Sequence, residues 1–459
     1  MNDELPSGWA KTPIKEVVEL NPKAQYPDNL EVGFVPMPLM GKRFGERAGF
    51  EVRKWGEVKK GYTHFQDGDV LLAKITPCFE NGKGGLVAGL PNGVGAGSTE
   101  YFVSRPLEGH ILPEYLLAYL KTPAFMSDGA TQMTGSVGHK RVPKEFLLES
   151  QIPLAPIAEQ KRIADKLEAV LGRVDACRAR LDRVPALLKR FRQSVLAAAT
   201  SGKLTEEWRM KNGVNDEWDA VEIGSLMESK PRNGYSPKAV DFETPVRSLT
   251  LTATTSGRFR GEHSKFINEE ISPSSHLWLV PGDILIQRAN TIEYVGVSAI
   301  FDGSPSKFIY PDLMMKCRAN DQTTTGFLYL LLQSDPVRTH FRNNATGTAG
   351  NMPKINQGTV ISAPVTLPTP PEQQEIVRRV EALFALADRI EARLAVLRKT
   401  ADRLTPSVLA KAFRGELVPQ DPKDEPASVL LERLQSQAAP QPARAPRKER
   451  ASKASVLAD

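Results

Sequence analysis

The sharpest chemical pattern in the sequence is a nuclease-like order of residues, Pro27-Asp28 followed by Glu57-Val58-Lys59. A hydrolytic site of that kind needs two acids on a metal and a lysine near the attacking water. The pattern is short and its gap permissive, so the plainer reading is preferred: a loop and a charged strand edge. Other constellations are missing. There is no GxxxxGK[ST] loop, no GxGxxG between strand and helix, and no HExxH. The six histidines, His64, His110, His139, His263, His276 and His340, are scattered. Asn21-Pro22-Lys23 lacks the second proline and the ring with which amino-methyltransferases hold a flipped base. Cys78, Cys177 and Cys317 lie far apart, which argues against a disulfide framework or zinc site and fits a reducing compartment. The sequence thus predicts no catalytic, metal or cofactor-binding residues on this chain.

Composition narrows the class further. At 459 residues the chain has room for two to four domains. No apolar run is long enough to span a bilayer, and the start, Met1-Asn2-Asp3-Glu4, has no signal-peptide character. The net charge of +6 is unevenly placed: residues 1–155 carry 17 basic and 18 acidic side chains, and residues 214–368 carry 14 and 16. Any surface for an anionic partner on those regions must therefore be a local patch.

The elements that would position such a patch occur twice. Glu159-Gln160 aligns with Glu372-Gln373 at an offset of 213, which holds without a gap to Gly202-Lys203-Leu204 against Gly415-Glu416-Leu417, with 17 identities in 46 positions. Fainter echoes join Gly68-Asp69-Val70-Leu71-Leu72 to Gly282-Asp283-Ile284-Leu285-Ile286, Trp9 to Trp218, and Thr134-Gly135-Ser136 to Thr346-Gly347-Thr348. Whole domains were duplicated.

Within the repeated segments apolar residues step alternately by four and three. Ile163, Leu167, Val170, Val174, Cys177 and Leu181 open the first series; Ile376, Val380, Leu383, Ala387, Ile390 and Leu394 open the second, in the same register. A 3.5-residue period makes a narrow seam suited to one partner helix, and each is the other's simplest partner. Pro185 and Pro406 should interrupt the helices locally. The competing reading packs each helix on its own globular domain.

The expected fold is α+β: two strand-rich, α/β-mixed domains in pseudo-twofold tandem repeat, separated by two long helices. The boundaries are residues 1–155 for the first domain, 156–204 for its helix, 205–217 for a polar linker, 218–368 for the second domain, 369–417 for its helix, and 418–459 for a largely disordered tail. Short buried helices are expected at Pro113–Leu120 and Gly326–Leu332, and within the tail a short helix near Ser428–Leu434.

So laid out, the chain resembles the specificity subunit of Type I restriction–modification enzymes, to about residue 435. The resemblance is carried by the helix starts Pro153-Leu154-Ala155-Pro156-Ile157-Ala158-Glu159-Gln160-Lys161-Arg162-Ile163 and Pro368-Thr369-Pro370-Pro371-Glu372-Gln373-Gln374-Glu375-Ile376. The helix ends Ser194-Val195-Leu196 to Gly202-Lys203-Leu204-Thr205-Glu206-Glu207-Trp208-Arg209 and Ser407-Val408-Leu409-Ala410-Lys411-Ala412-Phe413-Arg414-Gly415-Glu416-Leu417 carry it too, as does Leu5-Pro6-Ser7-Gly8-Trp9. It implies a non-catalytic, cytoplasmic prokaryotic protein whose domains read the halves of a split, asymmetric double-stranded DNA target. The helices would form an antiparallel coiled coil whose length fixes the spacer. It further implies two modification subunits carrying S-adenosylmethionine, restriction/translocase subunits using ATP and Mg, and no membrane partner. The alternatives are a metal-dependent nuclease built on Asp28, Glu57 and Lys59, and a coiled-coil scaffold that binds only proteins.

No family motif fixes the DNA contacts, so they are chosen by chemistry and by equivalent position in the two halves. Arg and Lys suit guanine, Asn and Gln suit adenine, and small turns suit phosphate. In the first domain the candidates are Lys74, Thr76, Asn81 and Lys83 after the Gly-Asp strand, then Ser136, His139, Lys140 and Arg141. In the second they are Arg288, Asn290 and Thr291, then Thr348, Asn351, Lys354 and Asn356.

Overall fold

Val70-Leu71-Leu72-Ala73 forms a strand whose side chains leave alternately on opposite faces, and both faces are covered. Val70 and Leu72 join one core with Tyr115, Leu116 and Phe125, on the helices Pro113–Leu120 and Pro123–Thr131. Leu71 and Ala73 join a second core with Val35, Phe65 and Tyr101. Double coverage explains why the strand reads as an unbroken apolar run. The strand Ile284–Gln287 repeats this: Ile284 and Ile286 pack with Phe327 and Leu328, whereas Leu285 packs with Phe301 and Tyr310.

The computed structural model describes residues 5–136, 138–215, 217–347 and 352–438. It divides into two compact units, residues 1–181 with 397–459, and residues 182–396. In the first unit the strand Ala10–Pro13 pairs antiparallel with Gln151–Leu154, so the two ends of the domain meet. Two four-stranded sheets lie between them in sequence. One has the order 18–20, 101–106, 70–73, 84–86, and the other 51–54, 31–35, 94–97, 63–66. The second unit repeats the closing pair with Asp219–Glu222 and Pro364–Leu367. Its sheets have the orders 232–233, 314–317, 284–287, 298–300 and 239–240, 264–267, 247–249, 308–309. The repeats differ at one edge: the parallel pair 31–35/94–97 is flanked beyond 94–97 by 63–66, whereas its counterpart 247–249/308–309 belongs to a sheet extended by 239–240 beyond 264–267.

Two long helices, Ile157–Thr200 and Pro370–Ala412, each contribute to both units. In the first unit Arg178 donates to the Ala401 carbonyl at 2.7 Å and lies 3.4 Å from Asp402. In the second, Arg192 meets Asp388 at 2.7 Å and Glu391 at 2.9 Å, and Arg379 donates to the Leu204 carbonyl at 2.7 Å. Rising numbers on one helix meet falling numbers on the other, so the halves within each unit run antiparallel.

The heptad pattern serves two purposes along its length. Ile163 and Leu167 belong to the core of the first domain, and Ile376 and Val380 to that of the second. Leu409 and Ala412 complete the first core, and Val195 and Ala199 the second. Each domain core is thus closed by the start of one helix and the end of the other. Toward the middle of the helices Val174 and Leu394 are buried, Val170, Leu181 and Leu383 are half-buried, and Ile390 is 40% exposed. A straight helix drifts by about 20° per heptad against a 3.5-residue seam; short antiparallel halves therefore do not keep every seam position covered. Both helices run continuously through Pro185 and Pro406. Proline at 185 removes the donor for the Leu181 carbonyl, and Arg398 fills that vacancy at 3.4 Å.

Two expectations need correction. The 205–217 stretch is not simply a linker: Glu206–Asn212 is a helix that buries Arg209. The tail is ordered at least to its helix Ala427–Ala438, whose Ala427 and Leu430 complete the core of the first domain. Leu430, Leu431 and Leu434 supply an apolar stripe at helical spacing, and Arg162 anchors Asp424 at 2.6 Å ahead of it. Residues 439–459 lie outside the described residues.

The repeated Glu-Gln pair has a structural reason. The indole N–H of Trp9 donates to Glu159 at 3.0 Å, and that of Trp218 to Glu372 at 3.2 Å. Gln160 accepts from the Leu112 N–H and donates to the carbonyls of Ala155 and His110. Gln373 does the same with Thr324, Pro368 and Gln322. These bonds tie the start of each long helix to the residue before the domain's closing strand and to the start of the helix Pro113–Leu120 or Thr325–Gln333.

Candidate nucleic-acid interface

Each domain brings together the two segments chosen from sequence. In the first, Thr134 and Arg141 exchange backbone hydrogen bonds of 3.0 and 2.8 Å, closing a loop with positive φ at Gly135 and Gly138. The returning strand then bonds to the segment after Val70–Ala73: Thr76 N–H donates to the Lys140 carbonyl at 2.9 Å, and Val142 N–H to the Lys74 carbonyl at 2.8 Å. In the second domain Thr346 and Lys354 exchange bonds of 2.8 and 2.9 Å. Ile355 N–H donates to the Arg288 carbonyl at 2.9 Å, and Asn290 N–H to the Pro353 carbonyl at 3.3 Å. Lys74 thus corresponds to Arg288, Thr76 to Asn290, and Arg141 to Lys354. Thr348 and Asn351 lie outside the described residues.

The side chains of these positions have diverged. Arg141 holds Glu100 in a two-pronged ion pair, with contacts of 2.7 and 3.0 Å, and this keeps the Glu100 carboxyl below its usual range. Lys74 is half-buried, 5.5 Å over the Phe102 ring, and burial lowers its ammonium pKa. Ser136, His139 and Lys140 are exposed. In the second domain Arg288 reaches the Asp312 carbonyl at 3.3 Å. Asn290 donates to Gln287 at 2.6 Å, and buried Gln287 in turn donates to Leu251, Thr254 and Thr255. Thr291 and Lys354 are exposed, as are the apolar Ile292 and Met352 beside them.

Not every predicted contact faces outward. Lys83 donates to the Met37 carbonyl at 2.6 Å inside its own domain, while nearby Asn81 is exposed. Thr76 spends its hydroxyl on the Lys140 carbonyl. Asn356 caps the helix Gln357–Ile361 through Thr359 N–H at 2.8 Å. These three hold the loops in place, a role that Asn and Thr fill readily at turns and helix starts. Sequence reasoning missed Glu100, Gln287, Ile292 and Met352. Glu100 lies 41 residues from Arg141, so only the tertiary fold pairs them.

The nuclease-like residues do not assemble into a site. Lys59 is bound to Asp28 at 2.7 Å, so the lysine neutralises the acid it was expected to assist. No group of three or more His, Cys, Asp or Glu among the described residues could hold a metal ion, and no helix among them is long and apolar enough to cross a membrane.

The Type I restriction modification DNA specificity domain matches twice, at residues 6–185 and 215–398. The chain is 29% identical to the Type I restriction enzyme EcoEI specificity subunit of Escherichia coli, over 88% of this chain and 83% of that one. It is 31% identical to the StySPI specificity subunit of Salmonella potsdam, over 73% of each. Its fold matches the crystal structure of the HsdS subunit from Thermoanaerobacter tengcongensis with a TM-score of 0.61 at 19% identity, covering 90% of this chain and 99% of that one. Two matched domains that together span most of the chain place it in the family of Type I restriction–modification DNA specificity subunits.

Proposed function

We propose that the two domains read the two halves of a split, asymmetric sequence in double-stranded DNA. The observation that carries this reading is the edge built twice on one hydrogen-bonded frame with different side chains: Lys74, Lys140 and Arg141 in one domain, Arg288, Asn290 and Lys354 in the other. Equivalent backbones present equivalent reach into a groove, while different donors select different bases. In this reading residues 1–155 and 218–368 are the readers. Two modification subunits bring S-adenosylmethionine, restriction subunits bring ATP and Mg, and the complex works in the cytoplasm of a prokaryote. Ser136, His139 and Thr291 serve phosphate or base edges beside those cations, and Asn81 lies close enough in sequence to join them.

Single-molecule sequencing of DNA from cells expressing this chain with its modification partner tests the proposal. A split, asymmetric methylated motif is the expected result, and a continuous palindrome would overturn it. Insertions in either long helix should alter the unspecified spacer and spare the half-sites.

A further inference from the structure

Beside the proposed contacts of the second domain stands a carboxylate without a countercharge. Asp312 lies in the turn between the strands 308–309 and 314–317. Arg288 holds that turn twice: its N–H donates to the Leu313 carbonyl at 2.8 Å, and its guanidinium reaches the Asp312 carbonyl at 3.3 Å. Ser236 grips the same residue, donating its hydroxyl to Oδ1 of Asp312 and accepting from the Asp312 N–H at 3.2 Å. The segment that carries Ser236 is itself fixed. The N–H groups of Gly234 and Tyr235 donate to the carbonyls of Met314 at 3.1 Å and Tyr310 at 2.9 Å. A Cβ at position 234 would collide with the carbonyl oxygens of Tyr310 and Pro311, so only glycine permits this approach. Asp312 and Ser236 are both exposed, and among the described residues no cation pairs with the carboxylate and nothing bonds its Oδ2.

The first domain treats its acid differently. Tyr101 lies opposite Ala73 and, in the matching register, Met314 lies opposite Gln287, so Asp312 corresponds to Thr99 and Leu313 to Glu100. Glu100 is neutralised by Arg141, whereas Lys354, the counterpart of Arg141, is exposed and leaves Asp312 charged. A bare carboxylate repels phosphate, so on a surface that meets DNA it lowers affinity unless a donor reaches it. The donors in the major groove are the exocyclic amino groups. Cytosine presents N4 with no acceptor beside it, adenine sets the N7 acceptor next to N6, and guanine and thymine present acceptors only. A carboxylate therefore favours cytosine and rejects guanine and thymine.

We infer that Asp312 is a specificity-determining residue of the second domain, its carboxylate accepting from the N4 amino group of one cytosine, with Arg288 beside it on a guanine. The inference rests on the recognition function proposed above.

The test titrates the full-length chain, bound to its modification partner, with the motif duplex and with duplexes replaced one base pair at a time across both half-sites. Asp312→Asn keeps an acceptor for Ser236 and adds an amino donor; Asp312→Ala removes the group. For the native chain, exchanging one cytosine for thymine should weaken binding by about tenfold or more. Asp312→Ala should erase that penalty at this position alone, and Asp312→Asn should shift the preference there from cytosine toward adenine. Variants that keep every native base preference overturn the inference, even where their overall affinity rises, because the carboxylate then only repels phosphate. A motif with no C·G pair in either half does the same. A native complex that binds motif and scrambled duplexes equally would overturn the recognition reading as well; selective binding with unchanged preferences overturns the role of Asp312 alone.

Discussion

The two domains share the main-chain hydrogen bonds that join their two proposed contact segments, and almost none of the side chains. Lys74 and Arg288 each accept through the backbone carbonyl from the returning strand. Beyond that bond, Lys74 is half-buried over Phe102, whereas Arg288 reaches a backbone carbonyl. Arg141 is clamped by Glu100, while its counterpart Lys354 is exposed. A frame fixed by main-chain bonds tolerates any side chain that fits the turn, which is how duplicated domains come to differ in specificity without differing in fold.

The domains also differ at the starts of their long helices, and there the expected effects are largest. Glu372 accepts from Trp218, from Thr205 at 2.6 Å, and from Arg209 at 2.6 Å, and both members of the ion pair are buried. Removing one member of a buried pair leaves the other charge uncompensated and costs about 3–5 kcal/mol. Glu372→Ala should therefore lower the denaturant midpoint of the second unit sharply. A midpoint within experimental scatter of the native one would show that Arg209 finds water or another partner.

Effects on DNA reading come next. Arg288→Ala should cost about 1–3 kcal/mol at one half-site, and Lys140→Ala with Arg141→Ala should weaken the other. The methylated motif, read by sequencing, should relax in one half only for each variant. Relaxation of both halves by either variant would break the assignment of one domain to one half-site.

Much of this frame was legible because duplication gave each feature two chances to appear. The Glu-Gln pairs, the Gly-Asp strands and the heptads survive as patterns because each is a local backbone or packing requirement. What could not be read depends on distance in sequence. Arg209 looked like part of a polar linker because Glu372 lies 163 residues away. The helix Ala427–Ala438 was legible as a short helix near Ser428–Leu434, but its burial was not, because its partners, such as Tyr115, belong to the first domain. Lys83 and Asn356 were chosen as DNA contacts by residue type. Residue type does not distinguish a side chain that reaches outward from one that caps a helix or reaches an internal carbonyl.

A smaller effect is expected where the first domain masks its own arginine. Glu100→Gln leaves a hydrogen-bond acceptor but removes the charge facing Arg141. Arg141 should then be freer to engage phosphate. Affinity for duplex should rise a few-fold at low salt, and the slope of log affinity against log salt should steepen by about 0.9 if one more phosphate is neutralised. An unchanged slope would mean that Arg141 does not reach the backbone even when released.

The smallest effect separates Glu159 from its counterpart Glu372. Glu159 is buried with only Trp9 donating to it, and its Oε1 has no partner. Burial raises its carboxyl pKa above the ordinary value of 4.5, more than Trp9 and Arg162 lower it. The folded state therefore holds the proton to a higher pH than the unfolded state does. Stability of the first unit should be greatest below the ordinary value, fall as pH rises toward the raised one, and stay at the lower level above it. Glu159→Gln keeps an acceptor for Trp9 and removes the ionisation. Its melting temperature should match the native protein near pH 4 and exceed it by a few degrees near pH 7. If the variant and the native protein lose stability in parallel over that range, the pH dependence belongs to other groups, and the unpaired oxygen of Glu159 is satisfied by water.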